Sequence, residues 1–131
     1  MIFVDSNIPM YIVGSDHPNK VAARKLLERL SLERVKLVTD AEVFQEILHR
    51  YISINRRDAI KPATELLRAV VDEVYPIDMN TVMAAAEAIT ADGSISARDA
   101  VHVTVMRRNS IDTIMTFDQD FNRVPGLKVI P

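Results

Sequence analysis

Asp5 closes the apolar run Ile-Phe-Val at residues 2–4, and Asp118 follows the run "DTIMTF" at residues 112–117. Both runs read as buried strands, so both acids stand at predicted strand ends. Two carboxylates about 4 Å apart repel by roughly 4 kcal/mol at an effective dielectric near 20. If they converge, a positive group or a raised pKa must offset that repulsion. The chain has no cysteine and no histidine pair at ligand spacing. The natural counter-charge is therefore a hard, oxygen-seeking cation such as Mg²⁺ or Mn²⁺. Such ions activate a water and clamp a phosphodiester during in-line displacement.

Each acid also has a purely structural reading. Asp5 could cap the helix that follows it. Asp99 stands three residues after Ser96 in an S-x-x-D capping pattern. On a helical wheel its neighbours are His102, Val103 and Met106, which disfavours a merely solvated charge. Asp118 could open the turn in "FDQDF", where Asp120 offers the same chemistry two residues on. Glu46 lies at the flank of an apolar helical face beside Val43 and Arg50, and Glu42, one turn earlier, points further towards solvent. His102 reads as a packed or hydrogen-bonded residue rather than a ligand. Arg50, with the pairs Arg56–Arg57 and Arg107–Arg108, could meet a phosphate backbone or simply be solvated surface.

The elements that must position these residues alternate along the chain. After the strand at residues 2–4, Ser6 can cap a first helix with Pro9 in its opening turn. "GSDHPN" at residues 14–19 is a loop. From residue 20, Val21, Leu26, Leu27 and Leu30 recur at helical spacing. A strand is expected over residues 35–39, then a helix from residue 40 to about 55 with Phe44, Ile47, Leu48 and Tyr51 on one face. "NRRD" breaks the chain before a helix carrying Leu66, Leu67, Val70 and Val71. A strand over residues 73–77 ends at its proline, an alanine-rich helix runs from about 80 to 90, and residues 91–94 form a turn.

Val101, Val103 and Val105 alternate as in a strand, yet the Ser96 cap and an apolar surface nearly all round predict a buried helix. A central strand over residues 112–117 and an edge strand in "LKVI" complete the chain. This order predicts an α/β fold, a mostly parallel sheet covered by helices on both faces. In open parallel sheets, ligands bind beyond the carboxyl ends of the strands, which is where Asp5 and Asp118 are expected.

With 131 residues the chain is expected to be one domain, burying roughly 65–70% of its unfolded surface. It therefore needs no disulfide or structural metal to fold. The lack of cysteine suits a cytoplasmic location. No apolar run approaches the ~20 residues of a membrane span, and no signal-peptide pattern opens the chain. The net charge of −2 does not advertise nucleic-acid binding. Clustering four acids in one site would nevertheless leave a mildly basic remainder.

Taken together, "FVDSN", "VFQEILHRY", "SARDAVHV" and "TFDQDF" resemble the PIN-domain ribonucleases. Within them, the toxins of type II toxin–antitoxin modules, the VapC-like group, fit best in length. The resemblance spans the chain through the closing "VPGLKVI" and implies a PIN-like α/β/α sandwich. It implies an acidic constellation of Asp5, Glu46, Asp99 and Asp118 that holds one or two divalent cations, Mg²⁺ or Mn²⁺. Asp120 is an additional or substitute acid, while Ser6 and Thr116 orient the carboxylates from behind. Arg50 is a candidate RNA contact.

The activity so implied is metal-dependent endonucleolytic hydrolysis of RNA. The partners implied are an RNA substrate, a cognate antitoxin and a second copy of the chain, the homodimer placing two sites in a shared groove. A stand-alone RNA-processing nuclease and a non-catalytic RNA-binding or assembly module are the rival readings. Phosphoaspartate receivers and haloacid-dehalogenase types fit less well. The first want a preceding acidic pair, and the second want D-x-D where this chain has Asp5, Ser6 and Asn7.

Overall fold

The computed structural model describes residues 1–91 and 93–131. Among them are five strands: β1 (Ile2–Val4), β2 (Leu37–Asp40), β3 (Glu73–Tyr75), β4 (Thr113–Met115) and β5 (Lys128–Ile130). All pair in parallel, in the order β3-β2-β1-β4-β5. Six α-helices connect them: α1 (Asn7–Val13), α2 (Pro18–Leu32), α3 (Ala41–Ser53), α4 (Ile60–Val70), α5 (Met79–Ala91) and α6 (Ala97–Arg108). The expected mostly parallel α/β architecture is therefore present. No described helix is long and apolar enough to cross a membrane.

The chain starts in the middle of its sheet. Phe3 and Val4 are wholly buried, as expected for a strand covered on both faces, where the sequence runs apolar without alternation. From β1 the chain builds outwards through β2 and β3. It then crosses to the other side for β4 and β5. The strand order reverses between β1 and β4, and that switch point opens a crevice at the carboxyl edge.

Several boundaries differ from the sequence expectation for local reasons. β2 begins at Leu37 rather than residue 35, because residues 33–35 close α2. Arg34 takes φ 53°, and the Val35 amide donates back to the Leu30 carbonyl at 3.0 Å. α2 begins at Pro18, whose fixed φ suits the first helical turn, after His17 has accepted the Asn19 amide at its Nδ1. β3 stops before Pro76, which has no N–H to donate. In the expected turn over residues 91–94, Ala91 ends α5 and Asp92 lies outside the described residues.

The valine-rich segment is the helix α6, buried along a continuous run from His102 to Met106. Ser96 caps it by accepting the Asp99 amide at 3.2 Å. Ser6 occupies the N-cap of α1, but its hydroxyl makes no capping bond. Asp40 caps α3 through the Val43 amide at 3.0 Å.

The core joins the sheet to α3, α4 and α6 through Val38, Ile47, Leu67, Met106, Ile114 and Met115, all at most 1% exposed. Leu67→Ala should lower the free energy of unfolding by about 2–5 kcal/mol, the usual cost of a buried leucine cavity. Urea denaturation measures this directly, and a loss under 1 kcal/mol would mean that α4 packs more loosely than described.

Candidate metal centre

The register Val4↔Met115 between β1 and β4 sets the residues that follow them side by side. The Asp5 amide continues the ladder to the Met115 carbonyl at 3.1 Å. The residue is only 4% exposed, so its carboxylate oxygens need partners. Oδ1 accepts the Ser6 amide at 2.7 Å. Oδ2 accepts the Thr116 hydroxyl at 2.7 Å and the Asn7 amide at 3.3 Å.

Thr116 uses its whole hydrogen-bonding capacity here. While donating to Asp5, its oxygen accepts from Asn7 Nδ2 at 2.9 Å and from the Asp118 amide at 3.0 Å. Asn7 Oδ1 in turn accepts the Phe117 amide at 3.1 Å. The loops after β1 and β4 are thus stitched together around one buried carboxylate. Burial raises the Asp5 pKa above the ordinary aspartate value, against the pull of His102 and the Thr116 hydrogen bond. Nearby Glu46 pushes it further up.

α3 and α6 supply the second half of the site. His102 is wholly buried, its ring centroid 5.4 Å from that of Phe3. Nδ1 lies 2.7 Å from Asp40 Oδ2 and Nε2 lies 2.7 Å from Glu46 Oε1. Ionised carboxylates only accept, so between two of them the ring donates from both nitrogens as imidazolium. Burial by itself would lower the His102 pKa. The hydrogen bonds to Asp40 and Glu46 outweigh it and hold the pKa well above 6.5. This imidazolium is the positive group that offsets the repulsion between Asp5 and Glu46.

Asp5, Glu46 and His102 each place one ligand atom within 4.8 Å of the other two. Two oxygens on opposite sides of a Mg²⁺ stand about 4.2 Å apart, from Mg–O distances near 2.1 Å. Carboxylate oxygens of Asp5 and Glu46 within 4.8 Å of each other come near that span, and an oxygen pair suits a small, hard divalent cation. Glu46, rather than Glu42, is the glutamate beside Asp5. Glu42 is turned to Arg98, 3.8 Å away.

Asp99 and Asp118 flank the three-residue group without joining it. Burial raises the Asp99 pKa to about 6, opposed by the Ser96 hydroxyl and reinforced by the charges of Asp118 and Asp5. Asp118 also fulfils its alternative reading, since Oδ1 accepts the Asp120 amide at 2.9 Å and caps a short 3-10 turn. Asp120 is exposed and lines a shallow hollow together with Asp99. Ser6 contributes its backbone amide rather than its hydroxyl.

Arg50 stands one turn beyond Glu46 and lines a cleft of about 670 Å³ with Asn7, Tyr11, Tyr51 and Arg56. Arg56 is held by Asp58 at 3.1 Å and Arg98 faces Glu42. Arg50 has no acidic partner among the described residues.

Three contributors escape sequence reasoning. Asp40 ends β2 much as Asp5 follows β1, but the helical pattern that starts at residue 40 hides that strand-end signal. The packed role expected of His102 is correct, but its two carboxylate partners lie 62 and 56 residues away. Asn7 carries no signal beyond its place next to Asp5.

β1 thus lies at the centre of a parallel sheet, with Asp5 and Glu46 meeting beyond its carboxyl end and Asp99 and Asp118 beside them. Residues 2–127 match the PIN domain family, and the chain belongs to it. It is 51% identical over 128 residues to Ribonuclease VapC13 of Mycobacterium tuberculosis, covering 98% of each chain. Its fold is shared with the crystal structure of Mycobacterium tuberculosis VapC20, at TM-score 0.81 and 23% identity, covering both chains fully. A toxin–antitoxin complex from Klebsiella pneumoniae contains a chain of the same fold, at TM-score 0.69 and 13% identity. That match covers 100% of this chain and 97% of the other.

Proposed function

We propose that the chain is a divalent-metal-dependent endoribonuclease, a single nuclease domain over residues 1–131 that serves as the toxin of a toxin–antitoxin pair. The observation that carries this is the buried Asp5 carboxylate, held beside Glu46 at the switch point with Asp99 and Asp118 flanking. Support for RNA as the substrate is the 51% identity to a ribonuclease over nearly the whole chain. The antitoxin partner rests on the VapC resemblance and on the fold shared with a toxin–antitoxin complex.

In this reading Asp5, Asp99 and Asp118 hold Mg²⁺ or Mn²⁺ with Glu46, and Asp120 is the substitute acid. The cation supplies an activated water for in-line attack on the phosphodiester. Thr116, Asn7 and the Ser6 amide fix the Asp5 carboxylate, so the ligand is oriented before the cation arrives. Arg50 neutralises a phosphate beside the scissile one, in the cleft next to Glu46. A homodimer belongs to the same reading, supported by the apolar side chains Met79, Val82 and Met83 that α5 leaves exposed. So does a cytoplasmic location.

The test is the chemistry of the product ends. Attack by water leaves no 2′,3′-cyclic phosphate, and a single 2′-deoxy substitution at the cut site is tolerated. RNA cut internally by the partner-free protein should show both properties. Cyclic phosphate ends, or a requirement for the 2′-hydroxyl, would contradict the mechanism.

A further inference from the structure

Glu46 lies on the flank of α3, where a glutamate side chain ordinarily samples many rotamers in water. Here it does not swing freely, because His102 grips Oε1 at 2.7 Å. The grip continues to a rigid anchor. His102 is packed against Phe3 inside the sheet–α6 core, and its other nitrogen meets Asp40 Oδ2 at 2.7 Å. Asp40 is wholly buried, and its remaining oxygen is tied to the first turn of α3 through the Val43 amide. The hydrogen-bond chain therefore begins and ends on α3, with α6 supplying the bridge. Glu46 Oε2 accepts no hydrogen bond among the described residues, which leaves it for a ligand.

The same geometry decides what His102 does not do. A histidine ligand needs a free ring nitrogen, and both are engaged by carboxylates. The group of Asp5, Glu46 and His102 therefore presents oxygens alone to a cation, as a hard ion requires.

We propose that Asp40 and His102 are positioning residues that lock the Glu46 carboxylate towards Asp5 for cation binding. This rests on the metal-nuclease reading above and extends it to two residues that never touch the cation. Outer partners of this kind typically change metal affinity by about 10–100-fold when removed.

The experiment measures Mn²⁺ affinity by calorimetry, without RNA, on the full chain and three variants. His102→Leu removes the donor to Glu46. His102→Gln restores one, its amide nitrogen standing in for Nε2. Asp40→Ser keeps a helix cap but is too short to reach the ring. The expected result is Mn²⁺ binding weakened about 10–100-fold in His102→Leu and Asp40→Ser, with most of the loss recovered in His102→Gln. Circular dichroism checks that each variant is folded. If His102→Leu does not fold, Asp40→Ser against His102→Gln carries the comparison.

Unchanged affinity in folded His102→Leu or Asp40→Ser would overturn the inference and leave the nuclease reading intact. Nitrogen hyperfine coupling to bound Mn²⁺ that is present in wild type and lost in His102→Gln would also overturn it, by making His102 a ligand. Failure of wild type to bind Mn²⁺ at all would remove the metal reading and the inference with it.

Discussion

Asp5→Asn should fold and yet cleave RNA about 10²–10³-fold more slowly, the usual loss when one charge-stabilising group leaves an active site. The structure explains why folding survives. Asn is isosteric and neutral, and the wild-type carboxylate is already strained by burial, its pKa raised above the ordinary value. The loss is confined to hydrogen bonding. Thr116 has one proton to donate and already accepts twice, so an amide cannot satisfy Ser6, Thr116 and Asn7 as well as a carboxylate does. One weakened hydrogen bond costs about 1 kcal/mol, which removal of the buried charge offsets. Thermal melts and initial cleavage rates separate the two effects. A non-catalytic RNA-binding module predicts the opposite pattern, with RNA affinity retained and no metal-dependent activity to lose.

Asp99→Asn should lose activity while gaining stability. Its carboxyl is raised from 3.8 to about 6 in the folded protein. Between those values the native state binds more protons than the unfolded chain, so stability falls as pH climbs through this window and stays lower above it. The displacement corresponds to an upper bound of about 3 kcal/mol at neutral pH. Screening of a half-buried carboxylate reduces it to about 1 kcal/mol. In EDTA at pH 7.5, Asp99→Asn should therefore melt about 4 °C above wild type. The gap should narrow as pH drops through the window and close below about 3, where the wild-type carboxyl is protonated in both states. Saturating Mg²⁺ should narrow the gap at pH 7.5, because a ligand that binds the native state stabilises it. A variant less stable than wild type in EDTA would mean that Asp99 serves α6 as a cap residue before it serves the site.

These effects trace to features of unequal visibility in the sequence. Asp5 and Asp118 could be placed from the chain alone, because an apolar run ending in an acid marks a strand end and a parallel sheet collects such ends at one edge. Asp99 was legible through the Ser96 cap, which fixed the start of α6 and hence the face on which the acid lies. The choice between Glu46 and Glu42 was not. They stand one turn apart on α3, and which turn meets Asp5 depends on how α3 leaves β2.

The same limit hides the link from Asp40 through His102 to Glu46. Helical periodicity describes one element at a time, whereas this hydrogen-bond chain exists only once α3 and α6 are packed. Asn7 is a further case. Its value comes from the register of β1 against β4, a pairing across more than a hundred residues that no local pattern encodes.

If the gathered carboxylates work through a divalent cation, as proposed, the ion alone should switch cleavage on and off. The most direct measurement is internal cleavage of labelled RNA by the partner-free wild-type protein, after EDTA treatment and again after adding back Mg²⁺ or Mn²⁺. Metal-dependent hydrolysis requires no cleavage in EDTA and full recovery with either ion. Cleavage that persists in EDTA, at the same sites and rate, would contradict it.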